Sequence, residues 1–407
     1  MTSWEIKGWC PGALRPMASG DGLVVRVRPP LGRLSPDQAT AIARVALAHG
    51  NGIVDLSARA NLQLRGVTAD SHGPLIEDLR QHGLIDPDIA TESLRNLIVT
   101  PFRDGDPDAD DSIVEDPTVG GAPKFFGRKI LAGTDDLAAT LTAALARMPR
   151  LPGKFGFALD TGPRPVLTGA SVDIRVERSK DGRLILRPEG FALGKPVTDL
   201  AEDAIAMAEW FIAQGGVSDG RGRMAALVAR GIRPEGCDTA PADPLPQPAP
   251  GLHPQGALVA LAFGQMRAET LLKLAALGHE IRPTPWRMLF LVGARTLPDR
   301  PDLITDPAHP LLRVIACTGA PACPQALGDT RQLARALAGD IPADTLLHIS
   351  GCAKGCAHPG VAPLTLTATA TGYDLIRNGA AHDTPSLSGL PPEALPDLLK
   401  APNAPHL

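Results

Sequence analysis

The sequence predicts an α+β protein assembled from α/β-type units that occur twice along the chain. Three observations predict it. Strand–helix–strand order appears early and returns in the second half, a proline-rich stretch separates the two, and four of the six cysteines lie between Cys317 and Cys356. At 407 residues the chain is long enough for two or three domains, each with its own core.

The elements follow in order. Residues 23–28 (LVVRVR) alternate as a strand does and run into the turn Pro29-Pro30-Leu31-Gly32. Ser35 has the place of an N-cap with Pro36 at the first helical position, and the helical pattern that follows stops at Gly50. After the Asn51-Gly52 turn, IVDLSARANLQLRGV is expected to be the second strand of the unit. ALVALAF (257–263), RAETLLKLAALGHE and WRMLFLVGA (286–294) repeat that order, and an Arg-led apolar run follows each copy, beginning Leu94-Arg95 in the first and Leu312-Arg313 in the second. A helix is expected over TDLAEDAIAMAEWFIAQ, with Gly215-Gly216 as its stop, and Asp104–Pro117 reads as an acidic, solvated loop. The prolines of Asp238–Gly251 favour extended chain. The division is therefore 1–80 and 253–300 for the half-repeats, 81–237 for an α/β domain without clustered cysteines, 238–252 for the linker and 301–407 for the cysteine-bearing domain.

The net charge of −4 gives no general attraction to nucleic acid or anionic membranes. The N-terminus, MTSWEIKGWC, has neither a basic nor an apolar signal region, and no apolar run reaches the length of a membrane span, so a cytoplasmic location is expected. Six cysteines in such a chain do not read as a disulfide framework.

Cys317-x5-Cys323 and Cys352-x3-Cys356 sit among Thr318, Gly319, Ala320, Ala322, Gly351, Ala353, Gly355 and Ala357. Thiolates are the usual ligands of iron–sulfur clusters, and four suit a [4Fe–4S] cube. Small neighbours let the backbone approach a bulky inorganic group. Structural zinc is the competing reading, and its usual shorter C-x2–4-C spacing fits the five-residue gap poorly. Cys10 and Cys237 fall outside the pattern and read as packed or surface thiols.

This cysteine pattern in a duplicated chain resembles the sulfite and nitrite reductase superfamily. The resemblance implies two ferredoxin-like half-repeats, a [4Fe–4S] domain, and a last cysteine, Cys356, that bridges the cluster to a sirohaem iron in the reductases. It also implies a basic site: Arg26 and Arg28 on the first strand, then Asp55, Ser57, Arg59 and Gln63, with Arg95-Asn96 and Lys154-Phe155-Gly156 beyond. Two positions depart from the reductase pattern. Asp55 stands where the reductases carry an arginine, and Gly156 replaces one of two anion-binding lysines. Such charges matter by several kcal/mol, roughly, in a partly buried site before desolvation is counted.

Within the superfamily, the opening WCPGALRPMASGDGLVVRVRPPLGRL, the segment ARANLQLRG, and the pair ACTGAPACPQA and HISGCAKGCAHPG resemble the precorrin-3B synthases of aerobic cobalamin biosynthesis. That resemblance implies oxygen-dependent hydroxylation of precorrin-3A at C20 with closure of a ring A acetate lactone. The macrocycle would occupy, as substrate, the space that sirohaem fills in the reductases. A sirohaem-dependent sulfite or nitrite reductase is the alternative.

A carboxylated macrocycle needs localised positive charge. Arg26 and Arg28 share a strand face, and Asp55, Ser57 and Arg59 are expected to share the face of the next strand. Guanidinium groups match carboxylates through paired hydrogen bonds. Ser57 and Gln63 would add neutral donors, and Asp55 would accept from a pyrrole N–H. Arg95, Lys154 and Arg15 complete the candidates. Without a nucleotide-binding motif, reducing equivalents are expected from an external donor, either a redox partner protein or a docked reduced nicotinamide. Oxygen chemistry leaves room for a mononuclear non-haem iron, although the ten histidines show no facial-triad spacing. His348 and His358 flank Cys352 and Cys356. A chain that repeats itself can fill its own symmetric interface, so a monomer is expected.

Overall fold

The computed structural model describes residues 10–103 and 133–400. The acidic loop expected at Asp104–Pro117 lies outside them. Four sheets carry the architecture, and they form two similar pairs.

The first pair comes from the half-repeats. Met17–Ser19, Gly22–Val27, Leu62–Val67 and Ile53–Leu56 form an antiparallel sheet, and Gly251–His253, Gly256–Ala260, Met288–Val292 and Ile281–Pro283 form its counterpart. The two sheets exchange edges. Gln265–Arg267 of the second half pairs with Ile53–Leu56, placing Met266 opposite Val54, while Leu34 of the first half bridges to Ile281. Both copies turn through a short 3-10 segment, in which Leu31 and Phe263 take φ of 52° and 59°. Between the sheets the helices Pro36–His49 and Ala268–Ala275 pack together, and Val25, Leu64, Leu271 and Leu291 belong to one continuous core. The half-repeats therefore share a core instead of each having one.

The expected helix start is borne out: Ser35 and Gln38 form a reciprocal capping box, Pro36 opens the helix, and Gly50 ends it. The single strand expected over IVDLSARANLQLRGV is instead a hairpin, Ile53–Leu56 and Leu62–Val67. The chain reverses because the Ser57 hydroxyl accepts the amides of Arg59 and Asn61, while Ala60 adopts φ of 56°. Ser57 and Arg59 thus occupy a turn and do not extend the face of Asp55.

The second pair of sheets has a shared order: parallel, parallel, antiparallel, antiparallel. One contains Leu97–Val99, Phe157–Asp160, Ile174–Arg178, Leu184–Pro188 and Lys195–Pro196; the other contains Val314–Ala316, Leu347–Ser350, Ala362–Thr369, Gly372–Gly379 and Leu387–Leu390. Leu97 and Val314 hold the same place in the two ladders, so Arg95 matches Leu312 and the Arg-led runs are offset by one residue. The helix expected before Gly215 spans Leu200–Ala213 and is capped by Asp199. The proline-rich segment lies against the first of these sheets: Thr239 bridges to Gly194, Pro241 bridges to Ser179, and the Leu245 amide donates to the Pro165 carbonyl. Among the described residues no helix is long and apolar enough to cross a membrane.

Asp160 and Ser350 hold the same place at the ends of equivalent strands. The buried Asp160 carboxylate organises its loop by accepting the amides of Val166 and Leu167, each at 2.7 Å. Burial outweighs those bonds and pushes its pKa up to about 6. Between the ordinary value near 4 and about 6 the native state holds more protons than the unfolded chain, so stability falls as pH rises through this window. Asp160→Asn removes the titration. Urea midpoints are expected to show the wild type losing about 3 kcal/mol relative to the variant between pH 4 and 7.

Candidate functional site

The register of the first sheet aligns a polar row across four strands. Arg26 faces Gln63, Gln63 faces Asp55, and Asp55 faces Gln265. Their neighbours Val25, Val27, Val54, Leu62 and Leu64 point the other way, into the core. Asp55 is buried and already engaged. It accepts from Gln265 at 3.0 Å and lies 3.4 Å from Arg331 and 3.8 Å from Arg65. The acid at position 55 therefore works within an ion-pair network, and Arg331, from the helix Thr330–Leu337, brings a cation to the same place. Arg287 is also near, its pKa lowered by burial and by Arg331.

Arg26 and Arg28 are both more than nine-tenths buried. Among the described residues the Nε and Nη1 atoms of each have no hydrogen-bond partner. Arg26 faces the Cys10 thiol, and burial lowers its pKa against that contact. Burial brings Arg28 down to about 10, with Arg26 adding repulsion and Glu92 opposing both effects. Glu92, on the short helix Ile89–Leu94, lies 3.3 Å from Arg28 and also accepts the amides of Ala13 and Leu14. Its carboxylate oxygen would sit only 2.1 Å from a Cβ at Gly12, so that glycine is required where the N-terminal segment crosses. A cavity of about 520 Å³ opens here, lined by Cys10, Arg15, Arg28, Glu92, Arg150 and Leu151.

Arg59 stands at the hairpin tip and donates to the Lys154 carbonyl at 2.8 Å. Its Nη1 would be 3.1 Å from a Cβ at Gly156, so the missing side chain leaves room for the Arg59 guanidinium. Burial lowers the Arg59 pKa; Cys10 counters this, whereas Arg223 and Arg26 reinforce it. Asp173, fully buried, fixes the arrangement by accepting from the Gly156 amide at 3.0 Å and from Arg223 at 2.9 Å. Lys154 keeps its side chain exposed. Arg95 is held bidentately by Asp86, at 2.8 and 2.9 Å, and braces the wall of the site. Sequence reasoning missed Arg223, Arg287 and Arg331. Arg223 sits in a segment that reads as a glycine-rich turn, and its one local signal is its place just before the helix Met224–Ala229.

The cysteine loops follow Val314–Ala316 and Leu347–Ser350. The Gly351 amide points at Cys317 Sγ, 3.2 Å away, and the Ser350 hydroxyl donates to the Cys352 carbonyl. A Cβ at Gly351 would press on Ala326 at 2.6 Å, and Gly355 takes φ of 63°. Burial raises the Cys356 thiol, Lys354 counters it, and Cys352, Cys317 and Cys323 add to the rise, so the four sulfurs act on one another. Among the described residues no three His, Cys, Asp or Glu side chains are drawn close enough to hold one metal ion. A cube places each cysteine on a different iron and so keeps the sulfurs farther apart than a shared zinc would. An amide aimed at a sulfur, small residues in the loops and four interacting thiols fit a [4Fe–4S] group, and Cys317, Cys323, Cys352 and Cys356 would hold it.

A profile of the nitrite/sulfite reductase ferredoxin-like half domain matches residues 15–82. A precorrin-3B synthase from Sinorhizobium sp is 30% identical, over 93% of this chain and 84% of that protein. The chain belongs to the precorrin-3B synthase family, within the sulfite and nitrite reductase superfamily. A ferredoxin–nitrite reductase from Synechococcus elongatus is 26% identical over 95% of this chain and 86% of its own. Among solved structures, the NirA protein of Mycobacterium tuberculosis superposes with a TM-score of 0.58 at 16% identity, covering 93% of this chain and 79% of that one, which shows the duplicated fold. The relatives are enzymes, and so is this family member.

Glu92 holds both the N-terminal segment and the buried Arg28. Glu92→Ala leaves that guanidinium uncompensated and is expected to cost about 3–5 kcal/mol in denaturant unfolding. Adding Arg28→Met is expected to return much of the loss, because the buried charge goes with its partner.

Proposed function

We propose that this protein hydroxylates precorrin-3A to precorrin-3B with O2, placing the hydroxyl at C20 and closing the ring A acetate lactone, as a step in cobalamin biosynthesis. The observation that carries the reading is the pair of buried guanidiniums, Arg26 and Arg28, whose Nε atoms have no hydrogen-bond partner among the described residues, with Arg28 lining a cavity that also receives Arg15 and Arg150. Buried, unpaired donors of this kind are costly unless an anionic ligand arrives. Acetate and propionate arms of a precorrin supply carboxylates for them. Arg59, seated over Gly156, would bind a further arm, and Gln63 offers a neutral donor beside Arg26. Arg331 and Arg287 stand near Asp55 at the far end of the polar row.

A [4Fe–4S] group on Cys317, Cys323, Cys352 and Cys356 supplies electrons singly. The hydroxylation needs two electrons and two protons from an external donor, with one oxygen atom entering the product and the other leaving as water. The segment held by Glu92 contributes Gly12 and Arg15 to the cavity wall. The described residues bring no three His, Cys, Asp or Glu side chains close enough to ligate a mononuclear iron. Gly156 in place of a lysine makes the site poorer for a small inorganic anion, and the Arg59 guanidinium fills the space instead.

The test is conversion of precorrin-3A under ¹⁸O2 by anaerobically purified protein with a chemical reductant, followed by mass spectrometry. One labelled oxygen in the product is expected. Arg26→Met is expected to weaken precorrin-3A binding by about tenfold to a hundredfold, the loss of one or two charged hydrogen bonds. Cys352→Ser is expected to abolish turnover together with acid-labile sulfide. Intense sirohaem bands in the purified protein, or unlabelled product, would overturn the proposal.

A further inference from the structure

His348 lies on Leu347–Ser350, the strand that leads into Cys352. Its neighbours Leu347 and Ile349 enter the apolar core, so His348 and Ser350 occupy the opposite face. That face is also the one Cys317 extends. Ile315 is the ladder partner of His348, and Cys317 follows Ile315 at the two-residue period. Gly355, just before Cys356, closes over the imidazole: a Cβ at Gly355 would lie 3.9 Å from His348 Cε1. The ring is wholly buried, and among the described residues neither of its nitrogens has a hydrogen-bond partner.

A buried imidazole with both nitrogens idle is an expensive arrangement unless another group satisfies it. The protein around it offers none. Leu347 and Ile349 are apolar, the Thr365 hydroxyl beside it is spent on the Gly379 carbonyl, and His358 uses Nε2 on the Val361 carbonyl. Rings of His348 and His358 meet edge to face at 5.6 Å, which leaves no bond between them. Burial, with His358 and Arg287 adding to it, holds the His348 pKa down to about 4, so the ring is neutral and keeps one N–H to give.

We propose that His348 donates this N–H to a sulfur of the [4Fe–4S] group held by the four cysteines, and that it sets the reduction potential of that group. The inference rests on the cluster assignment made above. A hydrogen bond to sulfur stabilises the reduced, more electron-rich state and raises the potential. The Gly351 amide at Cys317 would act the same way from the other loop. His348 is thus a positioning and tuning residue, and it does not itself react.

The experiment uses the full chain, purified anaerobically, with iron and sulfide counted first. Reduced wild-type protein grown on ¹⁵N-histidine is examined by pulsed electron paramagnetic resonance. A ¹⁵N coupling and an exchangeable proton coupling are expected, both surviving in His358→Ala and both lost in His348→Phe. In a redox titration His348→Phe is expected to lower the midpoint by a tenfold change in the one-electron equilibrium, about 59 mV, with His348→Gln recovering part of it. A wild-type cluster without histidine coupling overturns the proposal even if the variants fail to fold, and so does an unchanged midpoint in His348→Phe. Protein with no iron or sulfide would overturn the cluster assignment and this proposal together.

Discussion

Burial of like charge on one short strand constrains this protein most. Arg26 and Arg28 are two residues apart, face the same way and are nearly closed off from solvent. One carboxylate, Glu92, stands against Arg28, and the same carboxylate gathers the amides of the incoming N-terminal segment. The desolvation cost of such an arrangement falls on the fold, and Glu92 offsets part of it. The polar row, the hairpin tip at Arg59 and the loop at Lys154 can all be understood as the surroundings of those two buried guanidiniums.

Two local substitutions alter the electrostatics without emptying the site of cations. Asp55 removes a positive charge from the row, yet Arg331 arrives from the helix behind the cysteine loops and pairs with it. Gly156 removes another, and the Arg59 guanidinium takes the space. Charge is therefore carried at both places by side chains reaching in from other elements. A flat, many-armed anion tolerates such a spread better than a small one, which needs its cations focused on one point.

Much of this was legible in the sequence. The helix at Pro36 declares itself by its cap, the repeat by its order of elements, and the cysteine centre by spacing and small neighbours. Alternation puts Arg26 on the row of Gln63 and Asp55, and Arg28 follows just past the strand end. The same rule failed at Ser57 and Arg59, because a hydroxyl that captures two amides reverses the chain within five residues, and periodicity carries no sign of that. Arg95 looks like a ligand in sequence and is bound to Asp86 in the fold; Arg223, Arg287 and Arg331 look like nothing in particular and converge from three separate segments. Long-range pairing of charges decides such cases, and a linear reading holds no information on it.

The exchanged edges of the half-repeats allow the two copies to differ. Val54 and Ile281 are the positions that receive the partner's edge residues, and the next residues across the two ladders are Asp55, Gln63 and Arg26 in one copy but Arg282, Phe290 and Leu258 in the other. In that second copy Phe102 stacks edge-on against Phe290 at 5.0 Å, and Arg282 donates to the Pro101 carbonyl, so an aromatic pair covers the matching row. A homodimer would have to fill or open both of its symmetric clefts at once. By tethering two unequal copies, this chain keeps a row of polar side chains in one half and packs the same row of its twin with aromatic rings.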